Sequence, residues 1–171
     1  VLPDGVTAAD WGDVPASDTD FAANRAAITE RTRQALDVGA VPMVFGGDDS
    51  IPIPVMAAYE GRGPINVLQL DAHIDWRDEV QGETQGLSSN MRRASEMPWV
   101  DRIVQTGARG IGSARPADQQ AALDSGVQFV PMKAVRRGGL EQIVEALPEG
   151  GDLYIALDID AMDPAVVPAV I

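Results

Sequence analysis

Short apolar runs alternate with amphipathic stretches along the chain, and that alternation predicts the elements and their arrangement. Apolar residues at helical spacing from Asp20 to Leu36 (Phe21, Ile28, Ala35, Leu36) predict a helix, with Gly39 as its stop. Val41 to Phe45 reads as a short buried strand ending at Gly46-Gly47. Ser50 is placed to cap a helix reaching Tyr59, although Pro52 and Pro54 confine its start. Ile65 to Leu70 is a second strand, after which a polar loop from about Trp76 to Asn90 leads into a short helix at Met91 to Ser95. Ile103 to Thr106 and Val127 to Val130 predict two more strands, with helices at Pro116 to Leu123 and Leu140 to Leu147. Leu153 to Leu157 is a fifth, apolar along nearly its whole length, as expected of a strand covered on both faces. Strands alternating with helices predict an α/β fold, a mostly parallel sheet in a three-layer α/β/α arrangement. In such folds the ligand crevice lies outside the carboxyl ends of the strands.

Length and composition narrow the picture. A chain of 171 residues suits one domain with a sizeable core. It begins at Val1 and stops at Val170-Ile171, so the expectation is a single domain over 1–171, truncated at both ends. A formal charge of −13 is a poor match for nucleic-acid phosphates and a good one for metals and small cations. The absence of cysteine removes disulfides and thiolate metal sites and suits a reducing cytoplasm. No apolar run approaches membrane-spanning length, so no membrane partner is expected.

Candidate chemistry gathers where the predicted strands end. Asp71-Ala72-His73-Ile74-Asp75 follows Val67 to Leu70, and alternate side chains of extended backbone would set Asp71, His73 and Asp75 on one side. Two carboxylates and an imidazole suit a divalent cation, although a polar loop with a surface histidine reads equally well from these residues alone. Asp158-Ile159-Asp160 repeats the pattern after Leu153 to Leu157 and precedes Met162-Asp163-Pro164. Burying several carboxylates together costs several kcal/mol each unless cations compensate, and few lysines or arginines lie nearby in sequence. Two such strand ends in one α/β pattern therefore favour metal binding. Gly46-Gly47-Asp48-Asp49-Ser50 marks a third strand end, where the glycines permit a tight turn. The short Gly-Asp-Asp match to nucleic-acid polymerases is set aside, because Pro52 and Pro54 follow it in a strongly acidic chain.

Taken together, these three clusters resemble the arginase/agmatinase (ureohydrolase) family. That family carries Gly-Gly-Asp-His-Ser, then Asp-Ala-His-x-Asp, then Asp-x-Asp-x-x-Asp-Pro in this order, matched here by Gly46 to Ser50, Asp71 to Asp75 and Asp158 to Pro164. Asp13, in Trp11-Gly12-Asp13-Val14, resembles a further upstream segment. The resemblance implies two divalent metal ions, usually Mn2+, bridged by Asp71 and Asp158. His73 and Asp160 would bind one ion and Asp75 the other. It implies hydrolysis of a guanidino C–N bond with release of urea. Agmatine, a substrate of polyamine metabolism, is the first expectation, and another amidine or guanidino acid the alternative. It also implies a homo-oligomer, and a further strand and a substrate-gripping glutamate beyond the Asp-x-Asp motif.

Two departures from the family pattern matter. Asp49 stands where the family has its first histidine ligand; an aspartate can replace it, but the site becomes one charge more negative. Gln85, before Gly86, occupies the place of a proton-shuttling histidine, and glutamine is no general acid near neutral pH. A catalytically silent metal-binding homologue is thus the reading from a different class. Ser88, Ser89 and Asn90 offer hydroxyls and an amide for the far end of a substrate, or for ordinary loop solvation. Arg92-Arg93 reads as a solvated helix face, and the three tryptophans as packing residues.

Overall fold

A computed structural model describes residues 3–109 and 114–168. Four parallel strands form one sheet: β1 (Ile65–Leu70), β2 (Val100–Thr106), β3 (Gln128–Val130) and β4 (Asp152–Leu157), in spatial order β3-β2-β1-β4. The helices are α1 (Phe21–Asp37), α2 (Pro52–Ala57), α3 (Asn90–Ser95), α4 (Pro116–Asp124), α5 (Met132–Gly138) and α6 (Glu141–Val144). Parallel pairing requires each strand to return by a crossover, which sends every strand's carboxyl end to the same edge of the sheet.

Alternation along β1 divides the core in two. Ile65 and Val67 face one cluster with Met56, Met91, Ile103 and Ala122, from the side of α2, α3 and α4. Leu68 faces the other with Val104, Val130 and Ala146, packed by Val135 of α5 and Ile143 of α6. Helices on both faces of a parallel sheet are the three layers that the sequence pattern predicts. Asp20 caps α1 by accepting from the Ala23 amide (2.9 Å), and Gly39, at φ +73°, lies just beyond its end. Pro52 and Pro54 lie within the first turn of α2, where a proline needs no amide partner. The Ser50 hydroxyl turns to Asp48 rather than capping that helix.

Three expectations are corrected. Residues 41–45 form no strand: Val41, Met43 and Phe45 are 94%, 79% and 83% exposed. A strand exists only where a neighbour takes its amides and carbonyls, and no described strand pairs with this stretch. β4 is not covered on both faces either. Among the described residues it pairs only with β1, and Leu153, Ile155 and Leu157 stand 43–57% exposed. Finally, the pattern missed α5, a short helix between Pro131 and Gly139 with no buried residue and therefore no apolar stripe to read.

Candidate metal centre

Every strand-end aspartate lies at the carboxyl edge, but their side chains converge through turns rather than through extended alternation. The Asp71 amide still pairs with the Thr106 carbonyl (3.0 Å), and the Asp158 amide with the Leu70 carbonyl (3.0 Å). Beyond these rungs both chains bend. After β1 the backbone turns at Ala72 and His73, and Asp75 takes a left-handed conformation (φ +48°) that aspartate tolerates better than most residues. After β4 a 3-10 turn runs from Ile159 to Ala161, capped by Asp158, whose Oδ1 accepts from the Asp160 amide (2.9 Å). Asp160 Oδ1 in turn accepts from the Ala72 amide (3.0 Å), which ties the two ligand loops together.

The result is two candidate ion positions with a shared member. Asp71, His73 and Asp160 each offer a ligand atom within 4.8 Å of the others, and Asp49, Asp71 and Asp158 do the same. His73 Nδ1 lies 3.3 Å from Asp71 Oδ1 and 3.0 Å from Asp160 Oδ2. Asp71 is 1% exposed and Asp75 8%, while His73 is open to solvent. Asp75 joins neither group. It stands beside Asp49 and Asp71, and its Oδ2 accepts from Gln69 (2.8 Å) and Asn90 (3.1 Å).

Burial and mutual repulsion disfavour the ionised forms of this cluster. Burial pushes the Asp49 carboxyl up to about 7, with Asp71 and Asp158 adding repulsion. Burial likewise raises Asp75 to about 7, with Asp49 beside it adding to the rise. Asp71 is pushed well above the ordinary carboxylate range, first by burial and then by Asp75. Carboxylates that must hold protons near neutral pH are well suited to exchanging them for divalent cations, and an all-oxygen set with one imidazole matches manganese or magnesium better than softer ions. These donors fit a pair of such ions.

An open cavity of about 170 Å³ leads to the cluster, lined by Asp49, His73, Asp75, Asp158 and Asp160 and by Arg77, Ser88 and Asp118. Of the residues expected to meet substrate, only Ser88 lines this cavity. Ser89 and Asn90 are buried. Asn90 serves the ligands instead, its Nδ2 reaching the Asp49 carboxylate and Asp75 Oδ2. Gln85 lies outside the lining residues, its amide held by Glu83 (2.7 Å). Arg92 and Arg93 are no free helix face, since both pair with Asp78 across the loop. Trp76 is buried and Trp99 donates to the Met56 carbonyl (2.9 Å), both as packing residues; Trp11 is exposed.

Sequence reasoning missed the supports. Gly107, at φ +103°, lies so close beneath Asp71 that an added Cβ would stand 2.6 Å from the Asp71 carbonyl oxygen. Arg109 clasps both loops: its amide donates to the Ala72 carbonyl (3.0 Å) and its guanidinium to the carbonyls of Asp160 and Met162. Gln69 and Gln105, buried amides at paired positions of β1 and β2, stand directly under the ligands. Their signal was present, because a lone amide inside an apolar strand must find partners.

The class that fold and site define is a parallel α/β domain whose carboxyl edge gathers carboxylates and a histidine able to hold metal ions. Residues 2–171 match the Arginase family, and the chain belongs to it. It is 33% identical to the mitochondrial agmatinase of Gallus gallus, over 96% of this chain and 50% of that protein. It is 30% identical to a guanidinobutyrase of Pseudomonas aeruginosa, over 96% of this chain and 53% of that one. Among solved structures, formimidoylglutamase from Bacillus subtilis superposes with a TM-score of 0.84 at 27% identity, covering 93% of this chain and 52% of that one. Arginase from Medicago truncatula does so with 0.76 at 29%, covering 88% and 48%. The chain spans about half the length of the curated relatives it matches.

Proposed function

We propose that the protein is a binuclear metal hydrolase that releases urea from agmatine, using two Mn2+ ions. The observation that carries this reading is the sharing of Asp71 between two three-ligand groups whose other members line one cavity. Asp49, Asp71, His73, Asp75, Asp158 and Asp160 would hold the pair. Bound there, the ions supply Lewis-acid activation of water and charge stabilisation. The chain's own residues do the rest. The open wall admits substrate, and the acidic floor orients a guanidinium by charge. Asp49 fills the histidine position of the family pattern as a further oxygen ligand. With Gln85 away from the cavity, proton transfer falls to the cluster's carboxylates and to solvent.

Arg77 supports a second reading, a guanidino acid as substrate. Its Nε lies 3.5 Å from Asp118 Oδ2 in the cavity wall, and its Nη1 is buried without a partner. Asp118 suits the ammonium tail of agmatine, whereas Arg77 suits a carboxylate tail. We further propose one domain over 1–171, a homo-oligomer, and a cytoplasmic location that suits a chain without thiols. Among the described residues no helix is long and apolar enough to cross a membrane.

The experiment is urea release from agmatine, arginine, guanidinobutyrate and guanidinopropionate by manganese-loaded protein, with Asp71→Asn alongside. Manganese-dependent release that the substitution abolishes is the expected result. Asp118→Ala is expected to raise KM for agmatine, and Arg77→Ala for the guanidino acids. Two bound metals without turnover of any substrate would mean a silent homologue instead.

A further inference from the structure

Beneath the aspartates runs a chain of amides whose direction is fixed. Gln105 Nε2 donates to the Ile74 carbonyl (2.8 Å) and to Gln69 Oε1. Gln69 Nε2 donates to Asp71 Oδ2 (2.8 Å) and to Asp75 Oδ2 (2.8 Å). Both glutamines are buried, at 1% and 2% exposure, and they are cross-strand partners in the register of β1 and β2. With the carboxylates ionised, as metal binding requires, all four receiving atoms are acceptors only: a backbone carbonyl, an amide oxygen and two carboxylate oxygens. Each NH2 group therefore spends both hydrogens, and turning either amide over would set oxygen against oxygen. The Ile74 carbonyl decides the orientation of Gln105, Gln105 decides that of Gln69, and Gln69 must then present its NH2 to the carboxylates. Gln105 Oε1 is left buried without a partner.

We propose that Gln69, held in polarity by Gln105, is a positioning residue for the metal centre. It commits one oxygen of Asp71 and one of Asp75, and leaves Asp71 Oδ1 on the His73 side, where it accepts from the His73 amide (2.6 Å) and lies 3.3 Å from His73 Nδ1. Ile74 lies between His73 and Asp75, so the same relay also fixes the backbone of the ligand loop against β2. A carboxylate with one oxygen fixed cannot swing its lone pairs away from the ion position. Outer partners of this kind usually alter metal affinity about 10–100-fold. The inference rests on the metal-site reading above.

The test compares wild-type protein with Gln69→Leu, Gln105→Leu and Gln105→Glu. Manganese binding is followed by calorimetry, and the paired ions by electron paramagnetic resonance. Thermal unfolding without metal reports the merely structural contribution. Expected for Gln69→Leu are an affinity loss of about 10–100-fold and replacement of the exchange-coupled signal by that of isolated ions. Gln105→Leu, which frees Gln69 to turn over, should give a smaller loss in the same direction. Gln105→Glu, which cannot donate to Gln69 Oε1 when ionised, should give a larger one. If Gln69→Leu fails to fold, the two Gln105 variants decide. A wild type that takes up the manganese pair, beside folded variants within twofold of its affinity and with the coupled signal intact, overturns the inference alone. A wild type that takes up no pair overturns the metal-site reading, and the inference with it.

Discussion

The least forgiving residue under the site is Gly107. Its left-handed backbone disfavours any side chain, and its Cβ direction runs into the Asp71 carbonyl at 2.6 Å. Gly107→Ala should cost about 1–3 kcal/mol of stability, a range typical of backbone held in a disfavoured region. It should also weaken manganese binding, because relief of the clash moves Asp71. Chemical denaturation alongside a manganese titration checks both effects, and normal affinity in the variant would mean that the strand end yields without disturbing the ligand. Asn90 matters differently. Its amide is the donor that Asp49 and Asp75 share, so Asn90→Asp replaces a donor by another buried carboxylate. Metal-free Asn90→Asp should lose stability chiefly above neutral pH, where all three carboxyls ionise; a loss independent of pH would point to packing instead.

At the scale of elements, sequence pattern and structure agree where an element makes its own case. α1 declares itself by a capping aspartate, helical spacing and a glycine stop, and Asp20→Ala should cost about 1 kcal/mol, measurable as a shift in the denaturation midpoint. β1 is apolar and its predicted bounds, Ile65 to Leu70, match the observed ones. Agreement fails where an element depends on a neighbour. Residues 41–45 have strand composition, yet no described partner takes their hydrogen bonds, and they form no element and stand largely exposed. The apolar side chains of β4 likewise suggested cover on both faces, which α5 and α6 do not provide over that edge. The site residues show the same division. Which aspartates face the cavity was legible from strand-end clustering. That Asn90 donates to Asp49 and Asp75 was not, because it depends on contacts between residues 41 and 15 positions apart.

For the whole molecule, the buried carboxylates couple folding to pH and to metal. Asp49 and Asp75 titrate at about 7 in the folded protein, against about 3.9 in an unfolded chain. Between those values the native state binds more protons than the unfolded one, so stability falls as pH rises through that window. The metal-free protein should therefore melt lower at about pH 8 than at about pH 5.5, an effect that the acidic chain's self-repulsion enlarges. Manganese should reverse the trend, because cations bind the deprotonated ligands. At a hundredfold excess over Kd it should add about 2.7 kcal/mol of stability for each site. Differential scanning calorimetry at both pH values, with and without manganese, reads both effects; a metal-free melting point that rises with pH would contradict the raised carboxyls.

The sequence by itself determined the parallel α/β plan, the carboxyl-edge location of the chemistry and the aspartates that supply it. Those features follow from local periodicity and from the cost of burying like charges, both of which are properties of residue order. Only the tertiary structure decided which carboxylates stand within reach of a common ion, and that Gln69, Gln105, Asn90, Gly107 and Arg109 hold them in place. Those relations join residues tens of positions apart through strand register and loop bends. Direction and distance between such residues exist only once the sheet has formed.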